Sequence, residues 1–299
     1  TRGDYRAFST FLGQRVTRPS GPFRSRSRYV YHNAAWNLGG DNIYNSLGFG
    51  ADAQLKSFWF VGVNGGYEFD RWDDRATRGG PVMRRPGGWN LGLDASTDDR
   101  KVLSFTAGVN TSSGRGGNWQ RGASFGVNWR PSTSVRLSLG PDFTRVHDRM
   151  QWVSTEADAA ATETFGNRYV FATVDRTELS MTTRLDWTFT PTLSLQLFAQ
   201  PYVSANDFGD YRALARPRSF DFDPYAVAGE DDFTFMSLRG NAVLRWEYRP
   251  GSALFVVWQQ DRGGEVDDGR FRFRDNVSGV FDRESRNVLL IKATYWLNR

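Results

Sequence analysis

The 299-residue chain has 38 basic and 33 acidic residues, a net charge of +5 and no cysteine. The near balance of charges, without any run of five basic residues, argues against nucleic-acid binding. A chain without cysteine forms neither disulfides nor thiolate metal sites. Its mean hydropathy of −0.55 and the lack of any 18-residue apolar run argue against membrane-spanning helices.

Alternation of apolar and polar residues predicts strands from the start of the chain, where the first covers about residues 6–17. In residues 58–70 the odd positions are apolar with aromatics at both ends, and the even positions become polar. Such alternation over about ten residues, with aromatics at each end, is typical of a strand that faces lipid on one side.

Further strands with the same period of two follow along the chain. They are predicted at residues 89–96, 103–110, 119–130, 133–145, 179–189, 192–203, 232–249 and 287–298. No comparable stretch places apolar residues at helical spacing, so we expect almost no helix.

The predicted connections alternate between short and long. The short ones lie at 55–57, 97–100, 130–132, 190–191 and 249–251, and three of them contain proline. The long ones lie at 71–86, 111–118, 155–167, 205–231 and 262–285. Tight turns at one end and extended loops at the other are typical of outer-membrane barrels, whose turns face the periplasm.

The sequence therefore predicts an all-β protein, an antiparallel up-and-down transmembrane β-barrel in the bacterial outer membrane with a periplasmic C-terminus. About 13 strands are expected in this chain, an odd number that places Thr1 outside the cell. Because single-chain barrels have even strand numbers, residues 1–299 are expected to be the C-terminal portion of one barrel domain with its N-terminal part missing. An absent N-terminal segment or a partner chain would complete the barrel.

Several phrases in the later half resemble a known family: FGNRYVFA (165–172), WTFTPTLSLQLFAQP (187–201), ARPRSFDF (215–222), LRGNAVLRWEYRPGSALFVVWQQ (238–260) and NVLLIKATYW (287–296). They resemble the C-terminal outer-membrane barrel of the domain of unknown function 5916 family, also described as carbohydrate-binding family 9-like proteins. The resemblance implies an outer-membrane location and an N-terminal sugar-binding-like module, which we do not expect within residues 1–299. It implies no established activity.

The alternation also assigns residues to the two sides of the barrel wall. Charges facing lipid are costly, so the following residues are predicted to line the lumen: Arg136, Asp142, Arg184, Asp186, Arg239, Asn241, Arg245 and Glu247. The predicted lipid-facing and girdle residues are Trp59, Val61, Val63, Tyr67, Phe69, Leu193, Leu195, Leu197, Trp246, Tyr248 and Tyr295. Leu289, Ile291, Ala293, Tyr295 and Leu297 resemble the C-terminal assembly strand that the barrel-assembly machinery reads.

Few residues suggest chemistry. His147, followed by Asp148, lies near the outer end of a predicted strand, but neighbouring residues face opposite sides of a strand. The acidic segment 221–232 offers oxygen donors for Ca²⁺, although a solvated loop explains it equally well. No serine has a nucleophile elbow around it. We therefore expect no catalytic residues, cofactor or metal, and regard an outer-membrane hydrolase as the third reading.

The leading functional expectation is a non-enzymatic pore or docking platform for a solute, with a glycan-derived molecule as the expected class, in the lipid bilayer of the outer membrane. Inward Arg rows would then select anionic or hydroxylated solutes. The alternative is a sealed barrel that anchors partner proteins, in which the inward charges form a cross-strand ion-pair lattice.

Overall fold

The structure is a computed structural model that describes residues 3–226 and 231–297. Within these residues the chain forms strands almost throughout. The strands are β1 (Tyr5–Val16), β2 (Phe23–Asn37), β3 (Asn42–Leu55), β4 (Phe60–Glu68), β5 (Arg71–Asp73), β6 (Met83–Arg85), β7 (Gly88–Ser96), β8 (Leu103–Gly114), β9 (Trp119–Ser132), β10 (Val135–Ala157), β11 (Asn167–Thr190), β12 (Leu193–Leu214), β13 (Phe222–Pro224), β14 (Phe233–Arg249), β15 (Ser252–Val266) and β16 (Ser285–Ala293). A helix, α1 (Phe273–Asp282), and a 3-10 turn at Thr162–Thr164 complete the elements.

One antiparallel sheet contains nearly all of the strands. Its order is β1-β2-β3-β4-β7-β8-β9-β10-β11-β12-β14-β15-β16, with β13 paired to the end of β12 and with β5 and β6 forming a separate ribbon. The predicted all-β antiparallel fold is thus confirmed, and the main sheet has 14 strands where the sequence predicts about 13. β1 and β16 are the two edges, and no ladder joins them within the part of the chain that the structure describes.

The strands at the centre of the sheet are longer than the sequence predicts. β10, β11 and β12 contain 23, 24 and 22 residues, about twice what a tilted strand needs to cross a bilayer. The predicted loop at 205–231 was therefore wrong over 205–214, which belong to β12. The alternation breaks there because the register with β11 shifts between Phe171 and Thr173, opposite a residue with positive φ, Asp210.

The ladder register defines two surfaces. A row of directly opposed residues runs Asp52, Gly62, Asp94, Gly108, Ser124, Asp142, Ser180, Tyr202 and Ser237. The side of the sheet that carries this row is called the polar surface. The opposite side, called the apolar surface, carries the row Val63, Leu93, Val109, Ala123, Phe143, Leu179, Val203 and Met236.

Large hydrophobic side chains remain exposed on the apolar surface. Four tryptophans near strand ends are 42–47% exposed on it: Trp89, Trp129, Trp187 and Trp246. Trp258, in the middle of β15, is 41% exposed. Burial of such residues normally drives folding, and an exposed apolar surface of this extent is typical of a surface that contacts a protein or a membrane.

Helix α1 contradicts the expectation that 262–285 is a plain loop. Val280 of the helix is fully buried against Val203 and Met236, and both of these residues belong to the apolar surface. Phe271, just before the helix, contacts Phe143 with ring centroids 6.1 Å apart. This end of the apolar surface is therefore covered by the chain itself.

The two ends of the sheet differ in the length of the segments that connect the strands. Short turns join the strands at the turn end, and longer segments gather at the loop end. Residues 37–42, 69–87, 115–118 and 215–222 pack together there and are called the loop-end cap. Met83 of the cap is fully buried with Tyr169, Phe171 and Leu214.

The cap shows that the sheet curves strongly. Six strands separate β3 from β12, which in a flat sheet would place them about 34 Å apart at about 4.8 Å per strand. Nevertheless, Arg218 after β12 pairs with Asp41 before β3 at 2.6 Å. Strands at distant positions in the sheet order therefore face each other across the loop end.

The C-terminal strand ends earlier than predicted. β16 stops at Ala293, so Tyr295 and Leu297 of the predicted assembly strand lie beyond it, and residues 298–299 lie outside the described residues. Hydrogen bonds between Thr294 and Ala253 continue the pairing by one residue. Leu289 and Ile291 face the apolar surface opposite Trp258 and Val256.

Candidate functional site

All eight residues predicted to line a lumen share the polar surface. Asp142 belongs to its defining row, and Arg136 lies on the same side of β10. Arg184 and Asp186 lie in step with Ser180 on β11. The four on β14, namely Arg239, Asn241, Arg245 and Glu247, alternate in step with Ser237. The register places all eight residues on one side of the sheet. Whether they line a lumen stays a prediction.

The predicted lipid-facing set lies on the other side. Val61, Val63 and Tyr67 of β4, the three leucines Leu193, Leu195 and Leu197 of β12, and Trp246 and Tyr248 of β14 all face the apolar surface. Trp59 and Phe69 flank β4 just outside its ends, and Tyr295 hydrogen-bonds to Arg249 beyond β16. Contact of these residues with lipid likewise stays a prediction.

Ion pairs on the polar surface form within strands. Arg245 pairs with Glu247 two residues later at 2.9 Å, and Arg176 pairs with Glu178 at 3.3 Å. Arg136 and Asp186 are directly opposed, yet no ion pair joins them among the described residues. The contacts between strands are neutral or mixed instead, such as the hydrogen bond that Gln200 donates to Thr182 at 3.3 Å.

A hollow of about 410 Å³ lies on the polar surface where β14, β15 and β16 meet. Arg239, Asp261 and Arg286 stand side by side in it as directly opposed residues, with Asn241 and Gln259 one step along. The sequence pattern does not predict Asp261 and Arg286 as residues of this site. Their strands were recognised only in part, and the register of β15 against its neighbours is what aligns them with Arg239.

Glycines flatten the polar surface in the first half of the sheet. A Cβ on Gly62 would lie 2.6 Å from the Asp94 carboxylate, and one on Gly122 would lie 2.6 Å from the Asn110 amide. The polar side chains therefore lie along the sheet, over a glycine of the neighbouring strand. Across β7 to β9 the polar surface consequently carries small donors and acceptors, whereas on β2 the rings of Tyr29 and Tyr31 lie over Gly50 and Gly48 of β3.

A second hollow, of about 540 Å³, lies beneath the cap at the loop end. Glu68, Arg71, Arg85, Asp148 and Arg176 line it together with Asn90, Ser112 and Gln120. Arg71 is held by Glu68 at 2.6 Å, and Arg85 by Asp73 at 3.1 Å. The hollow thus combines fixed guanidinium groups with amide and hydroxyl groups, a set that suits a polyhydroxylated or anionic molecule.

Charged contacts hold the cap in place. The hydrogen bond from Arg218, together with that from Asn37, lowers the pKa of the Asp41 carboxyl. The backbone N–H of Gly87, followed by Arg84, lowers the pKa of Asp70, and Arg115 also contacts Asp70. Main-chain bonds add to these pairs: the Arg218 N–H donates to Val82 O at 2.7 Å and the Arg84 N–H to Ser219 O at 2.9 Å.

His147 has a different partner from the one its sequence neighbour suggests. Its Nδ1 lies 2.9 Å from Asp175 Oδ1 on β11, and its ring stacks on Trp119 at 5.9 Å between centroids. Asp148 instead accepts the Met150 N–H at 2.9 Å. The dyad of His147 and Asp175 faces the apolar surface, and no hydroxyl group bonds to the imidazole among the described residues.

The acidic segment does not converge on one point. Asp221 pairs with Arg216 at 2.7 Å, Asp231 accepts from Tyr211 Oη at 2.8 Å, and Asp232 accepts the Phe208 N–H at 2.7 Å. Glu230 lies outside the described residues. Across residues 3–226 and 231–297, no group of three His, Cys, Asp or Glu side chains is arranged to hold a metal ion.

The fold and this surface define a large, strongly curved antiparallel sheet protein with one polar and one apolar side. None of its described helices has the length and apolar character needed to span a membrane. The chain belongs to the family described as Domain of unknown function (DUF5916), whose model matches residues 1–298. No curated protein matches the chain.

Proposed function

We propose that the sheet is the wall of a transmembrane β-barrel in the bacterial outer membrane and that its polar surface lines a path for a polar solute. The main support for the proposal is the register of the strands, which places polar residues on one side of the sheet and apolar residues on the other. An exposed apolar surface edged with tryptophans suits a bilayer, and a surface of Arg, Asp, Asn, Gln and Gly suits water and solute.

The open edges of β1 and β16 fit the same proposal. Unpaired backbone groups are not tolerated in hydrocarbon, so further strands, from an N-terminal segment or a partner chain, would close the barrel between them. Each edge strand is exposed along nearly its whole length, which leaves room for such pairing.

The solute class follows from the side chains. Guanidinium, amide and hydroxyl groups in the two hollows can bind hydroxyl or carboxylate groups of a glycan fragment. The Arg residues of β11 and β14 would favour anionic sugars over cationic ones. No step of this function breaks a covalent bond.

Liposome swelling tests the path. The intact protein, reconstituted in vesicles, should admit small sugars faster than large ones, and acidic sugars faster than neutral sugars of equal size. The double variant Arg239→Gln/Arg245→Gln should lose the preference for acidic sugars while still admitting neutral ones. Absence of swelling with the smallest sugar, in vesicles shown to contain inserted protein, would refute the path.

The cap favours a second function, a sealed barrel that anchors partner proteins. Its ion pairs and buried core close over the loop end, as expected for a plug. If the wild-type protein is impermeable and Arg218→Ala makes the vesicles swell, the sealed reading is the correct one. If both proteins admit sugar at the same rate, the cap does not close the path.

A further inference from the structure

A groove of about 680 Å³ lies on the apolar surface at the turn end of β1 to β4. Much of its wall is apolar, with Val16, Ala51, Ala53, Val61 and Val63. Gln14, Ser27 and Asp52 also line it, and Asp52 accepts a hydrogen bond from Ser27. Two arginines of β2, Arg26 and Arg28, also line it. They alternate in step on the strand, directly opposed to Ala53 and Ala51, so both side chains face the apolar surface.

Within residues 3–226 and 231–297 these two arginines form no ion pair. Arg28 Nε donates to Gln14 at 2.9 Å, which leaves its two terminal nitrogens free to bind something else. Arg26 lies 5.9 Å from the centre of the Phe23 ring. Among the described residues no carboxylate lies within ion-pair distance of either guanidinium, and both side chains are exposed.

The position of the groove along β2 determines the depth at which it would lie in a membrane. Arg26 and Arg28 are three and five residues from the start of β2 at Phe23, or about 10 and 17 Å along the strand. Trp59, 47% exposed, lies just beyond Val61 at the same end. At a tilt of 35–45° these distances place the two residues about 8 and 13 Å above the turn end. If the apolar surface faces lipid, their long side chains extend from there toward the headgroups, and an unpaired arginine would cost free energy without an anion.

We propose that the groove binds the phosphate headgroup of one anionic phospholipid, with its acyl chains along the valine and alanine wall. The proposal rests on the membrane placement above and adds a specific lipid site to it. Guanidinium groups bind phosphate with paired hydrogen bonds. Spaced by about 6.7 Å, two residues apart on a strand, Arg26 and Arg28 can both reach one phosphodiester from opposite sides.

Mixed nanodiscs of phosphatidylcholine and phosphatidylglycerol test the site. The intact protein is inserted, released and examined by native mass spectrometry for retained lipids. We expect one phosphatidylglycerol to be retained in preference to phosphatidylcholine. Arg26→Gln/Arg28→Gln should lower that preference about 30-fold, since each basic group near an anionic lipid contributes on the order of fivefold.

Two controls separate the possible explanations. Arg15→Gln removes a charge from the neighbouring strand on the polar surface, where Arg15 opposes Ser27, and it should leave lipid retention unchanged. Arg26→Lys/Arg28→Lys keeps both charges and should retain part of the preference, which also guards against a folding defect in the double glutamine variant. Insertion is scored independently by co-flotation with vesicles.

The outcomes are distinct. Failure of the wild-type protein to insert would overturn the membrane placement and the lipid site together. Insertion with equal retention of the two lipids would overturn the lipid site alone, and so would a loss of preference that is as large in Arg15→Gln as in the double variant. Selective loss in the double glutamine variant supports the site.

Discussion

Placing an arginine on either side of one strand tests the assignment of the two surfaces. Leu197 faces the apolar surface, opposite Leu185 and Ala242, and its neighbour Gln196 faces the polar surface. Leu197 is four residues from the start of β12 at Leu193. At about 3.4 Å per residue and a tilt of 35–45°, it lies about 10 Å above the turn end, near the middle of an apolar band about 25 Å tall.

At that depth Leu197→Arg should lower the free energy of unfolding by about 2–4 kcal/mol, the cost of an arginine facing lipid near the midplane. Gln196→Arg should change it by less than about 0.5 kcal/mol, because exposed positions tolerate such changes. Leu197→Ala serves as the matched control that removes packing without adding charge. Urea unfolding in phosphatidylcholine vesicles, followed by tryptophan fluorescence, measures all three.

The relative losses in the free energy of unfolding of the three variants decide which surface faces lipid. An equal or larger loss in Gln196→Arg than in Leu197→Arg would refute the assignment of the surfaces. If Leu197→Arg costs no more than Leu197→Ala, the added charge does not meet hydrocarbon, and the apolar surface faces something other than lipid.

Three further predictions concern the loop end. Phe171→Ala should cost about 3–5 kcal/mol because Phe171 is fully buried, whereas Phe165→Ala, at a site 75% exposed, should have little effect on thermal unfolding. Val280→Asp should release helix α1 and expose residues 267–284 to protease, whereas Asp at Phe281, 56% exposed, should not; equal cleavage of both would contradict the packing. The lowered pKa of Asp41 means that its ion pair stabilises the cap above the ordinary pKa of 3.8 and is lost as pH falls through the lowered value. Proteolysis of 215–222 by an acid-active protease should therefore rise only at pH values below 3.8, and a rise near pH 5 would be inconsistent with this pair.

The sequence alone was sufficient to predict most of the strands of the sheet and which residues of each share a side. A period of two is preserved wherever a strand separates two different environments, as in Leu193, Leu195 and Leu197 against Ser194 and Gln196. The alternation also predicted the common surface of Arg184 and Asp186 because residues two apart on one strand share a side. This prediction about Arg184 and Asp186 required no knowledge of the neighbouring strands.

Features that depend on register or on contacts between distant loops could not be predicted in this way. The partner of His147 is Asp175 on the adjacent strand, and identifying it requires the register of the β10–β11 hairpin. The alignment of Arg239 with Asp261 and Arg286 likewise depends on two ladders. The cap joins segments up to 177 residues apart, and no local pattern encodes such contacts.

Helix α1 did carry a signal that was missed. Phe273, Val277, Val280 and Phe281 recur at helical spacing. The segment is only ten residues long and is flanked by charges, so it resembled a polar loop. Its burial against Met236 supplies the stability that so short a helix lacks on its own.

Cysteine scanning of residues 193–200 on β12 tests the central claim most directly, because the chain contains no cysteine of its own. Each single-cysteine variant is reconstituted in vesicles and labelled either with a water-soluble maleimide or with a fluorophore that brominated lipids quench. If the polar surface faces water and the apolar surface faces lipid, we expect strict alternation, with even positions labelled from water and odd positions quenched by lipid. Uniform labelling from water at both even and odd positions would contradict it.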